Sequence, residues 1–156
     1  MKKILTPTVI VFLITLLFAG GCSSPQPLTP AKITIYLKVI EINGEKHLEM
    51  YDSYDITNAV VDTLTTDVWP KDKVIWVPLD GGGIKKIKKI GPEKKGKIID
   101  KDARKMLFSK KFKLKIPKDA PIPSAKEKYD IVFEDKDGTT WPIDPYLRIP
   151  PEDPTP

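Results

Sequence analysis

Residues 67–90 read DVWPKDKVIWVPLDGGGIKKIKKI, and the fold follows from how this stretch is parsed. Val74, Trp76 and their neighbours form an apolar run without a charge, which predicts a buried strand. Lys71-Asp72-Lys73 predicts the tight turn that enters it, after Trp69-Pro70, where the proline keeps the preceding residue extended. Gly81, Gly82 and Gly83 predict the loop that leaves it, because glycine alone tolerates positive φ and close backbone approach freely. Beyond them Ile84, Ile87 and Ile90 recur every three residues. That spacing suits neither a 3.6-residue helix nor a two-residue strand, and predicts a twisted or bulged strand. A phosphate-binding loop would run on into Lys-Ser/Thr and a helix. This one runs on into Ile84-Lys85-Lys86, so no nucleotide is expected.

Outward from this axis the chain alternates. In 32–42, Ile33, Ile35, Leu37 and Val39 share one phase, and Ile40 and Ile42 fall on the other, which predicts a bulge near Val39. Asn43-Gly44 is a strong hairpin signal. The return strand, 45–51, points Leu48 and Met50 inward and His47 and Glu49 outward. Residues 51–67 predict an acidic loop and a short strand near 59–64; Asp52, Asp55, Asp62 and Asp67 lack calcium-loop spacing. Residues 91–97 predict a charged loop, and Ile98-Ile99 the start of another element. Residues 100–108, DKDARKMLF, predict the one short helix, with Asp100 as N-cap. From 111 to 116 the phases are clean: Lys111, Lys113 and Lys115 out, Phe112, Leu114 and Ile116 in. Tyr129, Ile131 and Phe133 share a strand face, Asp135-Lys136-Asp137-Gly138 predicts a turn, and 139–149 a last strand placed at an edge by Pro142 and Pro145. Seven or eight short strands with regular turns predict an all-β fold, an antiparallel Greek-key β-sandwich over 32–149. Residues 150–156 are a proline-rich tail, expected to be disordered.

The 156 residues suit one domain, and 40% apolar content supplies a core without allowing a polytopic membrane protein. A single cysteine excludes an internal disulfide, and a single histidine, His47, excludes a His-rich metal site. The net charge of +5 is unevenly spread. Residues 84–118 hold fifteen Lys/Arg against three Asp/Glu, between flanks of net −4 (22–83) and −5 (119–156). Two readings compete for this basic middle: lysine-faced strands lying beside carboxylate-faced ones, or a patch for an anionic lipid or glycan.

Residues 1–21 open with Lys2-Lys3, continue through an apolar run over 4–19, and end in Ala19-Gly20-Gly21 before Cys22-Ser23-Ser24. This resembles a bacterial lipoprotein signal peptide with its lipobox; Ala19 stands where that family prefers leucine. The resemblance implies cleavage before Cys22, acylation of its thiol and new amino terminus, and a cell-envelope protein held in a membrane. Ser23 after the cysteine implies the outer membrane where the host has one. Lipidation of Cys22 is favoured over a free exported thiol or an uncleaved anchor. Residues 22–31, rich in Pro and Ser, are expected to be an extended tether.

Val68 and the run Lys71-Asp72-Lys73-Val74-Ile75-Trp76 resemble the cupredoxin strand V-x-x-G-D-x-V-x-W, with Lys71 in place of the glycine. Tyr129–Phe133, a turn, and a final strand through Leu147 and Ile149 are similar to that family's last strands. The resemblance implies a cupredoxin-like sandwich. Its copper ligands, two His, a Cys and usually a Met, have no counterparts after Trp76 or Phe133. No metal, cofactor, catalytic residue or nucleic-acid partner is therefore expected. The expected function is a lipid-anchored, non-enzymatic binding module whose partner is an unidentified envelope protein or glycan. Its candidate surface is the loop end carrying Gly81, Gly82, Gly83, Lys85, Lys86, Asp135, Asp137 and Trp141. The alternatives are a polyanion-binding role for Lys-rich 85–118 and a hydrolase built on a carboxylate pair.

Overall fold

The computed structural model describes residues 29–151; Cys22, the leader, most of the tether and the end of the tail lie outside them. The described chain is all-β, two sheets packed face to face. β1 (Lys32–Ile42) and β2 (Glu45–Asp52) form a hairpin across Asn43 (φ 53°) and Gly44 (φ 82°). Both turn residues need positive φ to match the twist of the strands, which is why Asn-Gly was legible. β3 (Val60–Val61) adds to β2. On the other side of β1 lies β5 (Lys73–Pro78), then β8 (Phe112–Lys115) and β7 (Arg104–Lys105). The second sheet is built on β9 (Ser124–Asp135). β6 (Ile84–Pro92) and β10 (Thr140–Ile143) pair with β9, and β11 (Tyr146–Ile149) pairs with both β9 and β4 (Thr65–Asp67).

The sandwich is mixed rather than antiparallel. β1 runs parallel to β5, with Lys32 opposite Lys73 and Leu37 opposite Pro78, and β11 runs parallel to β4. β5 is the centre of its sheet, and Trp76 is fully buried. Its indole donates to the Tyr129 hydroxyl of β9 at 3.0 Å, joining the two sheets through the core, and burial pushes that phenol above its usual range. The entrance to β5 is tied by Asp72, 1% exposed, whose carboxylate accepts the N–H groups of Trp69 and Ala31, each at 2.7 Å. Lys71 has φ 75°, a conformation that glycine adopts without strain. Every buried core residue lies between 33 and 149. Among the described residues the core is one continuous cluster.

Several expectations are corrected. β1 has no bulge at Val39: its register with β2 is unbroken from Ile35 to Ile42. Ile40 and Ile42 keep the outward phase of a hairpin that reaches toward solvent. The helix at 100–108 does not form. Only Ala103 and Met106 of that stretch escape exposure beyond Asp100, so a helix would have no apolar stripe to bury. The sheet edge takes its backbone instead: Ala103 N–H donates to the Ile90 carbonyl, and Arg104 and Lys105 pair with β8. Ile98 and Ile99 are buried in a loop, not a strand, with the N–H groups of Lys97, Ile98 and Ile99 on the Glu127 carboxylate. The strand expected near 59–64 is β3, two residues long, with β4 following after it.

The three-residue spacing of β6 has a clear cause. Ile84, Ile87 and Ile90 face Asp135, Phe133 and Ile131, and the register slips once in each interval. Each slip adds one residue to a two-residue repeat. The final stretch runs along β9 in one register from Thr140 to Leu147, as β10 and then β11, interrupted at Asp144-Pro145, and the register shifts between Leu147 and Ile149. Pro142 lies in the outer strand β10, where a missing N–H costs no ladder bond, but β11 sits between β9 and β4 and is not an edge.

Candidate functional site

Two regions of the surface concentrate polar groups. The first is the loop end. Asp135 extends the inward phase of β9 beyond Phe133, and Lys46 extends the inward phase of β2 beyond Leu48. The two meet where the core ends. Lys46 Nζ donates to Asp135 Oδ2 at 2.8 Å and also to Asp137, and Trp141 Nε1 donates to Asp135 Oδ2 at 3.0 Å. The other oxygen, Oδ1, accepts the N–H groups of Asp137 and Thr139, both at 2.9 Å. Asp135 is only 2% exposed. Lys46 first, then Trp141 and the Thr139 amide, hold its carboxyl well below the usual range despite burial; Asp135 and Asp137 push Lys46 up to about 12.

The glycine loop closes over this pair. The Gly82 carbonyl accepts from Val39 N–H at 2.7 Å, and the Gly83 carbonyl from Lys136 N–H at 3.1 Å. Gly83 has φ 80°, and a Cβ there would stand 2.9 Å from Val39 Cβ, so a side chain has neither the conformation nor the space. A shallow cavity of about 250 Å³ remains, lined by Gly81, Gly83, Lys46, Asp135 and Asp137 among others. Six of the expected surface residues, Gly81, Gly82, Gly83, Asp135, Asp137 and Trp141, thus come together. Lys85 and Lys86 lie along β6; Lys85 pairs with Glu134 at 2.8 Å, and Lys86 is exposed. Lys46, which bridges the two sheets, is absent from the sequence expectation. Its signal was a lysine on the apolar phase of β2, answered by an aspartate on the apolar phase of β9.

The second region is the outer face of the six-stranded sheet. Lys32, Lys73 and Lys115 lie side by side across β1, β5 and β8, and Arg104 faces Lys113 across β7 and β8. All five are exposed, and none makes an ion pair among the described residues. Like charges placed directly across a ladder are destabilising. Lys73, Lys101, Arg104, Lys113 and Lys115 line a groove of about 390 Å³ in which Asp102 is the one carboxylate.

Asp52, Asp55 and Asp67 border a groove of about 650 Å³ with Tyr54 and Trp69. Asp52 accepts from the Tyr54 N–H at 3.0 Å, Asp55 accepts from the Thr57 hydroxyl at 2.8 Å, and Asp67 takes a two-pronged bond from Arg148 at 2.7 and 2.8 Å. Asp52 and Asp55 hold the chain locally, and Asp67 ties β4 to β11. His47 is half-buried rather than exposed, with Nδ1 2.8 Å from Asp62 Oδ2. No cluster of three or more His, Cys, Asp or Glu suited to a metal ion occurs among the described residues. Compared with protein-family models and with curated proteins, the chain matches none.

Proposed function

We propose that this chain is a lipid-anchored cell-envelope protein whose β-sandwich is a non-enzymatic binding module for an anionic partner. The observation that carries the binding half is the cationic face of β1, β5, β8 and β7, where Lys32, Lys73, Lys115, Lys113 and Arg104 stand together with no ion pair among the described residues and Asp102 as the one carboxylate of their groove. A fold that tolerates this repulsion has a use for the field it creates. The loop end supports the same reading from the other side: Asp135, Asp137 and Lys46 are engaged with one another and hold the two sheets together. The anchoring half rests on the small-residue run before Cys22 at the end of an apolar segment. Ser23 favours the outer membrane where the host has one. Two or three acyl chains at about 0.8 kcal/mol per buried methylene make such an anchor effectively permanent.

Each half has its own test. Intact-mass analysis of the protein from its envelope should show loss of residues 1–21 and acylation of Cys22, and Cys22→Ala should accumulate as a larger, unlipidated precursor. A mature chain beginning elsewhere overturns the anchor. For the binding half, the wild-type domain should be retained on a polyanionic matrix to higher salt than Lys73→Glu/Lys115→Glu, because screening weakens charge-driven contact. Elution at the same salt overturns the cationic face.

A further inference from the structure

The turn between β7 and β8 carries Leu107 and Phe108, and both side chains stand in solvent: Leu107 is 87% exposed and Phe108 fully so. A lone exposed leucine needs no explanation. Two adjacent large apolar residues at a hairpin tip, with none of the described residues folded over them, do. Phe108 also sits at φ 55°, a left-handed conformation in which bulky residues are uncommon and where Asn or Gly would be the unstrained choice. The fold thus holds an aromatic ring outward at a strained position.

The charge around the tip is mostly positive. Lys105, Lys110 and Lys111 lie at its base, and Lys113 and Lys115 continue along β8 on its outward phase. Asp80 is the one carboxylate in the groove behind the tip. At the other end of the same face, Lys115 lies beside Lys73 and Lys73 beside Lys32, the first residue of β1. Only the nine residues 23–31 separate Lys32 from Cys22, and fully extended they reach about 30 Å at most. The first residue of β1, to which the tether leads, the row of cations and the apolar tip therefore lie along one side of the domain.

We infer that this side is a membrane-contact surface: Leu107 and Phe108 enter the headgroup region of an anionic phospholipid bilayer, and the cations of β8, β5 and β7 lie against its phosphates. The inference rests on the anionic-partner reading above and names the partner. A soluble anionic glycan would use the lysines but leaves the apolar tip without a role. A bilayer uses both, since interfacial binding combines burial of a small apolar area with attraction of basic side chains to acidic lipid. It also gives the uncompensated lysines a reason to lie on the strands nearest the tether.

The test uses the chain from Ser24 onward, which retains every described core residue and lacks Cys22, so acylation plays no part. It should co-sediment with vesicles of phosphatidylcholine containing about a third phosphatidylglycerol and not with phosphatidylcholine alone, and 0.5 M salt should release it. Leu107→Ser/Phe108→Ser, which alters only exposed side chains, should weaken this binding about tenfold or more, with an unchanged melting temperature. Lys113→Glu/Lys115→Glu should weaken it by about tenfold or more as well. Lys126→Glu/Lys136→Glu makes the same change in net charge away from this face and should bind as wild type. Absence of vesicle binding, or full binding by the Leu107/Phe108 variant, overturns the inference. Binding of dextran sulfate without binding of vesicles overturns it too and assigns the cationic face to a glycan. Because the lipid on Cys22 is measured separately by mass, failure of the anchor and failure of this surface are distinguishable.

Discussion

β6 and β8 are both lysine-rich strands, and their lysines meet opposite fates. On β6, Lys85 and Lys88 reach Glu134 of β9 at 2.8 and 3.4 Å, and Lys89 stands near Asp102 and Asp130. The pairing holds Glu134 below its usual range, through Lys85 first. On β8, Lys113 and Lys115 face Arg104 and Lys73. The composition of a strand does not say whether its charge is neutralised; the neighbour decides. Of the two readings of the basic middle, internal complementarity describes β6, and the like-charged neighbours of β8 are what the proposed anionic-partner surface rests on.

Both strands hang on the same core, so the largest expected effect is the one that removes it from both. Trp76→Ala should cost about 3–5 kcal/mol, a large fraction of the roughly 5–15 kcal/mol available to a domain. It should melt far lower or fail to fold, and Trp69→Ala, half-buried at the strand entrance, should cost less. A Trp76→Ala melt within about 0.5 kcal/mol of wild type would remove β5 from the centre of the structure.

The next effect concerns the acid limb. Asp135 titrates below its unfolded value in the native state, so its contribution to stability is full above about pH 4 and fades as pH falls toward the depressed native value. Asp135→Asn should lower the melting temperature at pH 7 and flatten its decline below pH 4. An acid limb identical to wild type would mean that the Lys46–Asp135 bridge between the sheets is not formed.

A smaller effect sits at the entrance to β5. Lys71→Gly should raise stability by about 0.5–1 kcal/mol, as release of left-handed strain exceeds the entropy cost of glycine. A loss of stability in the melt would show Lys71 to be unstrained.

The smallest effect separates β6 from β8 directly. Lys113→Glu should be neutral or stabilising, by about 0.2–1 kcal/mol, because it turns the Arg104 contact from repulsion to attraction. Lys85→Glu should destabilise, because it sets a second carboxylate against Glu134. Melts in which both reversals move in the same direction would erase the distinction between the two faces.

The sequence by itself determined what depends on neighbours along the chain. Period-two alternation placed β1, β2, β8 and the centre of β9; Asn43-Gly44 placed the hairpin; the three-residue spacing of Ile84, Ile87 and Ile90 announced the bulges of β6. These are short-range consequences of backbone geometry. Only the tertiary structure decided what depends on partners distant in sequence. It made β1 parallel to β5, set β11 inside its sheet, and took the backbone of 100–108 for strand pairing and loops where local propensity pointed to a helix. It brought Lys46 to Asp135, 89 residues away, and gave acids to the lysines of β6 while giving cations to those of β8. Strand pairing is chosen by burial summed over the whole core, and alternation within one strand carries no record of which strand will lie beside it.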